Sequence, residues 1–375
     1  MRIVNIVGAR PNLMKIAPII AEIRRFPDIE PVLVHTGQHY DENMSDVFFR
    51  ELNIPDPDYN LGVGSGTHTW QTAQVMLALE PLLIKLQPDC VLVVGDVNST
   101  LAAALVAAKL CIPFGHVEAG LRSFDRSMPE EINRQLTDAV SDYLFTTSRD
   151  ANENLRREGI PEHKIFFVGN VMIDTLHRFR SRAEALQLPS RYGLMPGHYA
   201  VLTLHRPSNV DSAGGLGEIV DALEVIQTRL PILFPAHPRT FERLKQFGLL
   251  RHLGAMSGIG LLEPLCYLEF LGLMAQSRLV LTDSGGIQEE TTVLGVPCLT
   301  LRENTERPVT VSQGTNEIVG TSSKWIVEAV WRILDGGGKR GRIPELWDGR
   351  AAERIVAILR DILSKRLCTT DRSSG

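Results

Sequence analysis

The sequence RLVLTDSGGIQEE, residues 278–290, combines a buried strand, a glycine turn and the start of a helix. The apolar run ends in a Thr-Asp pair, Ser284-Gly285-Gly286 forms the turn, and a helix begins after it. The first N–H groups of such a helix are free, and two residues without a Cβ let an anion approach them. Glu290 lies about one turn further on, where a ribose diol would sit if the anion were a nucleotide phosphate. An ordinary strand-to-helix turn explains this stretch equally well, so the rest of the chain must decide.

The size and composition of the chain indicate a globular protein with two domains. It has 375 residues, of which 44% are hydrophobic and 22% charged, enough for two separate cores. A net charge of −5 argues against nucleic acid or an anionic membrane as a partner. Any bound anion must therefore be held by local cations and backbone dipoles.

The cysteine pattern and the N-terminal sequence both predict a cytoplasmic protein. The five cysteines lack CxxC spacing, which is typical of reduced thiols. The N-terminal stretch MRIVNIVGARP is too short in apolar length for a signal peptide, and no run is long enough to cross a membrane.

The first strand, residues 2–7, is followed by a turn with two cations, Arg10 and Lys15. Pro11 stands where a helix can begin, because its missing N–H is not needed there. The GxGxxG fingerprint of dinucleotide-binding proteins is absent, so no dinucleotide cofactor is indicated. Cations at the positive end of a helix are unfavourable unless an anion binds beside them. We therefore interpret Arg10 and Lys15 as anion contacts.

Two further strands end in acids. The apolar run 90–94 precedes Asp96, and the run 112–118 ends at Glu118, where period-two alternation places His116 and Glu118 on one face. Acids at the carboxyl ends of central parallel strands are typical of active sites in α/β proteins.

A third acid, Glu131, lies three residues before Arg134 on a predicted helix, so the two share a face. On spacing alone this pair is either functional or an ordinary surface ion pair.

The α/β pattern restarts after residues 188–198, whose prolines and glycines are typical of a linker. In this second half two strands end in His205 and His237, next to basic residues or prolines, which indicates ligand contacts. Neither HExxH nor any other metal-binding spacing occurs, so a metal is not supported.

We predict an α/β protein with two Rossmann-like, doubly wound domains facing across a cleft. The first comprises residues 1–169 and the second residues 170–350. A helix over 351–366 with one apolar face follows, and residues 368–375 form a polar, disordered tail.

Ten segments occur in order along nearly the whole chain, and together they resemble the non-hydrolysing UDP-N-acetylglucosamine 2-epimerases. They are GARPNLMK, TGQHYDENM, VGDVNSTLAAALVA, HVEAGLRS, MPEEINR, HRPSNVD, AHPRT, EPLCYLEF, TDSGGIQEE and ENTERPVTVSQGTN. The resemblance implies a GT-B-like fold, a homodimer, and a C-terminal helix that packs back on the first domain. It also implies reversible epimerisation of UDP-GlcNAc to UDP-ManNAc, supplying ManNAc for surface polysaccharides. The implied route is anti elimination of UDP to a 2-acetamidoglucal and re-addition, with no cofactor and no metal.

The resemblance also assigns residues to the site. Asp96, Glu118 and Glu131 match the catalytic acids, with their individual roles open, and His205 matches the essential histidine near the phosphates. With Arg134 and His237 included, the predicted substrate contacts are Arg10, Lys15, Arg134, His237, Leu265, Phe270, Ser284, Gly285, Gly286, Glu290 and Arg307.

Several alternatives stay open. A hydrolysing relative would share the intermediate but release UDP and free ManNAc. A GT-B glycosyltransferase using a UDP-sugar and a non-catalytic UDP-sugar sensor are further readings, and the sugar could be a UDP-diacetamido-uronic acid. Tyr40 replaces an arginine common in bacterial members, which leaves activation by a second substrate molecule undecided.

Overall fold

The computed structural model describes residues 1–38 and 52–370, and of Arg10 and residues 367–370 it describes only the backbone. Tyr40 and the last five residues lie outside this description. The chain forms two compact units. The first runs from Met1 to Thr175 and includes the described residues from Glu345 onward, and the second is Leu176–Pro344.

The first unit contains a seven-stranded sheet in the order β3-β2-β1-β4-β5-β6-β7, with every pair parallel. Its strands are β1 (Arg2–Val7), β2 (Glu30–His35), β3 (Tyr59–Asn60), β4 (Cys90–Val94), β5 (Phe114–Ala119), β6 (Tyr143–Thr146) and β7 (Ile165–Phe167). The helices up to the unit boundary are α1 (Arg10–Ile23), α2 (His68–Leu86), α3 (Asn98–Lys109), α4 (Pro129–Val140), α5 (Arg149–Arg157) and α6 (Val171–Ala185). All five side chains of β4 are buried, as expected for a parallel strand covered on both faces.

The second unit repeats this scheme with six parallel strands in the order β10-β9-β8-β11-β12-β13. Its strands are β8 (Ala200–Thr203), β9 (Ile232–Pro235), β10 (Ile259–Leu262), β11 (Leu279–Thr282), β12 (Cys298–Thr300) and β13 (Asn316–Ile318). Its helices are α7 (Leu188–Arg191), α8 (Pro207–Val210), α9 (Ala213–Ile226), α10 (Pro238–Gln246), α11 (Leu249–Gly254), α12 (Tyr267–Ala275), α13 (Gly285–Leu294), α14 (Pro308–Ser312) and α15 (Ser323–Arg332).

The segment 188–198, predicted to be a linker, is instead part of the second unit. Pro189 lies in the first turn of α7, and its carbonyl accepts hydrogen bonds from Tyr192 and Leu194 at 3.0 and 2.9 Å. Gly197 donates to the Gln276 carbonyl at 2.7 Å. The prolines and glycines therefore form compact turns, and the boundary between the units falls inside α6.

The C-terminal helix α16 (Ala351–Thr370) belongs to the first unit and packs against α1. Asp174 accepts hydrogen bonds from the first amides of α16, those of Ala351 and Ala352, at 3.1 and 2.7 Å. Trp347 is fully buried and donates to the Thr147 carbonyl at 2.9 Å. The helix continues to Thr370, so the prediction of a disordered tail from residue 368 was wrong for its first three residues.

Both sheets reverse their strand order once, between β1 and β4 and between β8 and β11. At such a point the connections leave toward opposite faces and a crevice opens beyond the carboxyl ends of the strands. Asp96 follows β4, His205 follows β8 and Asp283 follows β11. No helix among the described residues has the length and apolar character to span a membrane.

Candidate functional site

The first unit places Asp96, Glu131 and Arg134 in one chain of charges. Arg134 donates to Asp96 and, from its other terminal nitrogen, to Glu131 at 2.7 Å. Asp96 is 25% exposed, whereas the Glu131 and Arg134 side chains are at most 2% exposed. The interpretation of Glu131 and Arg134 as a surface ion pair is therefore wrong.

Glu131 is held by several donors at once. The backbone and hydroxyl of Ser123 both donate to it at 2.9 Å, and the Phe124 amide donates at 3.2 Å. Burial alone would raise the pKa of this carboxyl, but the Ser123 and Arg134 bonds outweigh it and hold the pKa below the usual value. Glu131 is thus a buried anion whose oxygens are already engaged, which suits it to orienting Arg134.

Glu118 adopts a conformation that is rare for a residue with a side chain. Its φ is +73°, and the pairing of β5 with β6 shifts by one residue at this point. Its carboxylate is 3% exposed and forms an ion pair with Lys15 of α1, whereas His116 pairs with Asp138 of α4. The bulge thus breaks the predicted alternation, and local strain of this kind is typical of functional positions.

A polar cavity of about 190 Å³ lies beside Asp96. Within its wall Asn98 donates to Gln71 at 2.8 Å, and Asn133 donates to the Asp96 carbonyl at 2.9 Å. The lining residues are Gln38, Ser65, Gly66, His68, Gln71, Asp96, Val97, Asn98, Pro129, Glu130 and Asn133.

In the second unit His205 lies at the end of β8 and pairs with Asp283 at the end of β11. His205 Nδ1 is 2.8 Å from the Asp283 carboxylate, and the amides of His205 and Arg206 donate to the other oxygen at 3.0 and 2.9 Å. Burial would raise the pKa of Asp283, but the His205 bond outweighs it and lowers the pKa. An ionised Asp283 fixes the ring so that Nε2 is the nitrogen left for other contacts. The exposed His237 lies beside it, with 6.3 Å between ring centroids.

The Ser284-Gly285-Gly286 turn leads into α13 as predicted from the sequence. A Cβ on Gly285 would lie 2.6 Å from Glu306 Oε1 and would also collide with the Arg307 guanidinium, so a larger residue would have to displace these two side chains. Arg307 forms ion pairs with Glu289 at 2.9 Å and with Glu306 at 2.5 Å. Arg307 and its carboxylate partner Glu306 therefore both pack closely against the first turn of α13.

Glu290 is buried within α13 and accepts a hydrogen bond from the Tyr267 hydroxyl at 2.7 Å. Burial raises the pKa of this carboxyl to about 7, the tyrosine bond opposes the rise, and the neighbouring Glu289 adds to it. Leu265, in the loop before α12, and Phe270, within α12, are both half-buried.

In the first unit the structure thus joins Asp96 and Glu131 through Arg134 and pairs Glu118 with Lys15. In the second unit it brings His205 beside His237, and Arg307 beside Gly285. The Arg10 side chain lies outside the description. Sequence reasoning missed Asn133, Tyr267 and Asp283. Asp283 could have been found, because the rule that selected Asp96, an acid directly after a central strand, applies to it equally. Within residues 1–38 and 52–370, no three His, Cys, Asp or Glu side chains are placed to hold a metal ion.

Comparisons with known proteins agree on one family. The model of UDP-N-acetylglucosamine 2-epimerase matches residues 21–360. The UDP-N-acetylglucosamine 2-epimerase of Methanocaldococcus jannaschii is 47% identical, over 96% of this chain and 99% of its own length. The UDP-2,3-diacetamido-2,3-dideoxy-D-glucuronate 2-epimerase of Pseudomonas aeruginosa is 44% identical over the same shares.

A solved structure agrees with this result. The crystal structure of the M. jannaschii UDP-GlcNAc 2-epimerase in complex with UDP-GlcNAc and UDP superposes with a TM-score of 0.89 at 46% identity. It covers 96% of this chain and 99% of its own. The predicted resemblance and the α/β fold class with two parallel sheets are confirmed.

Proposed function

Because this chain belongs to the UDP-N-acetylglucosamine 2-epimerase family, we propose that it interconverts UDP-GlcNAc and UDP-ManNAc by inverting the configuration at C2. The observation that supports this most is the set of fixed carboxylates in the first unit, at the ends of β4 and β5 and in the first turn of α4. Glu118 is paired with Lys15, while Asp96 and Glu131 share Arg134. Such a set provides proton carriers whose positions and charges are held by neighbouring cations.

The chemistry of C2 explains why carboxylates are needed. The C2 proton is not α to a ring carbonyl, so direct removal and return would be slow. In the proposed route a carboxylate takes the C2 proton, the C–H electrons form the C1–C2 double bond, and UDP leaves with the electrons of the C1–O bond. UDP then adds back to C1 of the 2-acetamidoglucal, while an acid protonates C2 from the opposite face. Proton and UDP are both returned, so the reaction has no net redox change.

We assign the two proton transfers to Asp96 and Glu118, in an order that stays open. Glu131 already accepts from Ser123, Phe124 and Arg134, so it serves this site by orienting Arg134 toward Asp96.

The second unit would hold UDP. The first turn of α13 offers free amides to the diphosphate, and His205, oriented by Asp283, adds a donor to the leaving group. Glu290 would accept from the ribose hydroxyls, and Leu265 and Phe270 would contact the uracil. The Arg307 guanidinium, which lies beside Gly285 in the first turn of α13, would add a further cation.

The test is incubation with UDP-GlcNAc in D₂O, followed by proton NMR. Loss of the C2 proton signal together with a new UDP-ManNAc anomeric signal supports the proposal. UDP with free ManNAc would instead indicate the hydrolysing reaction. Asp96→Asn should abolish the formation of UDP-ManNAc, whereas Asp56→Asn, at an exposed position of the same unit, should leave it unchanged.

A second candidate substrate follows from the P. aeruginosa relative, whose identity of 44% lies close to the 47% of the M. jannaschii protein. The same D₂O experiment with UDP-2,3-diacetamido-2,3-dideoxyglucuronate decides between the two sugars. Exchange with this sugar and none with UDP-GlcNAc would transfer the proposal to the uronate. In the UDP-GlcNAc case, a cytoplasmic enzyme would supply ManNAc for surface polysaccharide synthesis.

We also propose that the protein is a homodimer. Trp70, Leu77 and Ile84 recur every seven residues along α2 and are 45%, 66% and 58% exposed. A second exposed apolar row, Ile132, Leu136 and Val140, follows α4. Apolar faces of this kind mark association surfaces, and two copies would cover them. Leu77→Glu should yield monomers in analytical ultracentrifugation, and a dimer that survives this change would place the interface elsewhere.

A further inference from the structure

The turn after β4 is held by side chains at three successive carbonyls. The Val94 carbonyl accepts from Asn12 at 2.8 Å, and the Asp96 carbonyl accepts from Asn133 at 2.9 Å. Between them the Gly95 carbonyl accepts from His116 Nε2 at 2.8 Å. Gly95 has a φ of +69°, and glycine adopts positive and negative φ about equally readily. Backbone preference alone therefore does not fix the direction of this carbonyl.

The proton on His116 Nε2 follows from its partner. A carbonyl oxygen can only accept, so Nε2 carries hydrogen. On the other side of the ring, Nδ1 is 2.7 Å from Asp138 Oδ1. The second Asp138 oxygen is engaged by the Gly120 amide at 3.0 Å and by Arg122 at 2.8 Å, both of which are donors. A hydrogen bond between Nδ1 and Oδ1 needs a proton on one of these two atoms, so the pair shares one further proton.

The surroundings favour an ionised Asp138. Burial would raise the pKa of Asp138, but the His116 and Arg122 contacts outweigh it and keep the pKa below its usual value. Arg122 is in turn neutralised by Glu158 through two bonds of 2.7 and 2.6 Å. His116 and Asp138 are fully buried, and the charges of the network balance, while Glu158, 38% exposed, connects it to the surface.

We propose that His116, paired with Asp138, is a positioning residue: its Nε2–H fixes the Gly95 carbonyl and thereby sets the direction of the Asp96 carboxylate for chemistry at C2. This inference rests on the proposed function. His116 belongs to the strand that carries Glu118, so one strand supplies a proton carrier and aligns the other. Displacing a reacting group by about 1 Å can cost about 10²-fold in rate, so a donor that fixes the turn matters for catalysis.

Two substitutions separate this role from general stability. His116→Ala removes the donor to Gly95. Asp138→Asn keeps it, because the oxygen of the introduced amide can accept from Gly120 and Arg122 while its nitrogen donates to Nδ1, leaving a neutral ring with Nε2–H. His163→Ala, at an exposed histidine of the same unit, is the matched control.

We expect His116→Ala to lower kcat and C2 deuterium exchange about 10²-fold with KM and UDP affinity within about twofold. Asp138→Asn should retain most of kcat. In ¹⁵N-histidine NMR of the wild-type protein, both ring nitrogens of His116 should carry protons, and in Asp138→Asn only Nε2 should.

The inference is overturned if folded His116→Ala keeps kcat within about twofold of wild type, or if KM rises as much as kcat falls. It is also overturned if Asp138→Asn loses activity as fully as His116→Ala while keeping the Nε2 proton, since charge would then be the cause. Should His116→Ala fail to fold, the NMR of the intact protein and the Asp138→Asn kinetics still decide. A wild-type protein without C2 exchange refutes the proposed function, whereas the ring protonation tests the His116 geometry separately.

Discussion

Glu290 should make the second unit less stable as pH rises through neutrality. Burial raises the pKa of its carboxyl from the ordinary 4.5 to about 7, against the opposing Tyr267 bond. Between these values the folded chain holds one more proton at this site than the unfolded chain, so the free energy of unfolding falls with increasing pH. The pKa difference of about 2.5, at about 1.36 kcal/mol for each pKa unit, corresponds to about 3 kcal/mol. That stabilisation is complete below 4.5 and lost above about 7.

Glu290→Gln removes the titration and keeps an oxygen to accept from the Tyr267 hydroxyl. The variant's free energy of unfolding relative to wild type should therefore rise by about 2 to 3 kcal/mol between about pH 5 and about pH 8. Urea unfolding at both pH values, followed by hydrogen-exchange mass spectrometry of peptides from the second unit, measures this difference locally. Glu328→Gln is the control, because Glu328 is 53% exposed in the same unit.

Two results would refute the reasoning. If wild type and Glu290→Gln show parallel pH dependence, Glu290 does not change its protonation in this range. If the variant loses relative stability as pH rises, the carboxyl is ionised in the folded chain and its environment favours the anion. Because Glu290 is proposed to accept from the ribose hydroxyls, UDP binding should favour its ionised form. Near neutral pH, UDP binding should therefore release a proton from wild type and none from the variant.

Two further substitutions test the clusters. Gly285→Ala should cost about 1–3 kcal/mol of stability by overpacking against Glu306 and should weaken UDP binding in calorimetry, whereas Gly217→Ala, whose Cβ meets nothing within 4 Å, should not. Arg134→Met should cost about 3–5 kcal/mol in thermal unfolding because it leaves a buried carboxylate without its cation, and kcat should fall about 10²-fold. Unchanged kcat in a folded Arg134→Met protein would remove this arginine from the proposed mechanism.

The sequence predicted the features that depend on local pattern. The apolar run of β4, the turn at Ser284 and the strand end at Asp96 all follow from periodicity and turn chemistry. β5 begins at Phe114 instead of residue 112, because Pro113 has no N–H to donate to a neighbouring strand.

Features that depend on distant partners were not predicted. His116 and Asp138 are 22 residues apart, and Asp174 caps a helix that begins 177 residues later. The burial of Glu131 depends on Ser123 and Phe124, which no helical spacing relates to it. The left-handed backbone of Glu118 is likewise imposed by the sheet, since a glutamate has no preference for it.

Because α16 packs on the first unit, the order in which the units can fold during synthesis on the ribosome is affected. The first unit begins at Met1, yet its last helix is capped by Asp174 and emerges only after the whole of Leu176–Pro344. At translation rates of about 5–20 residues per second, its completion waits roughly 10–30 s. During that interval the surface of α1 that α16 covers is exposed to the cell, and the second unit, which is contiguous, can finish folding first. The second unit can therefore be complete in the nascent chain before the first.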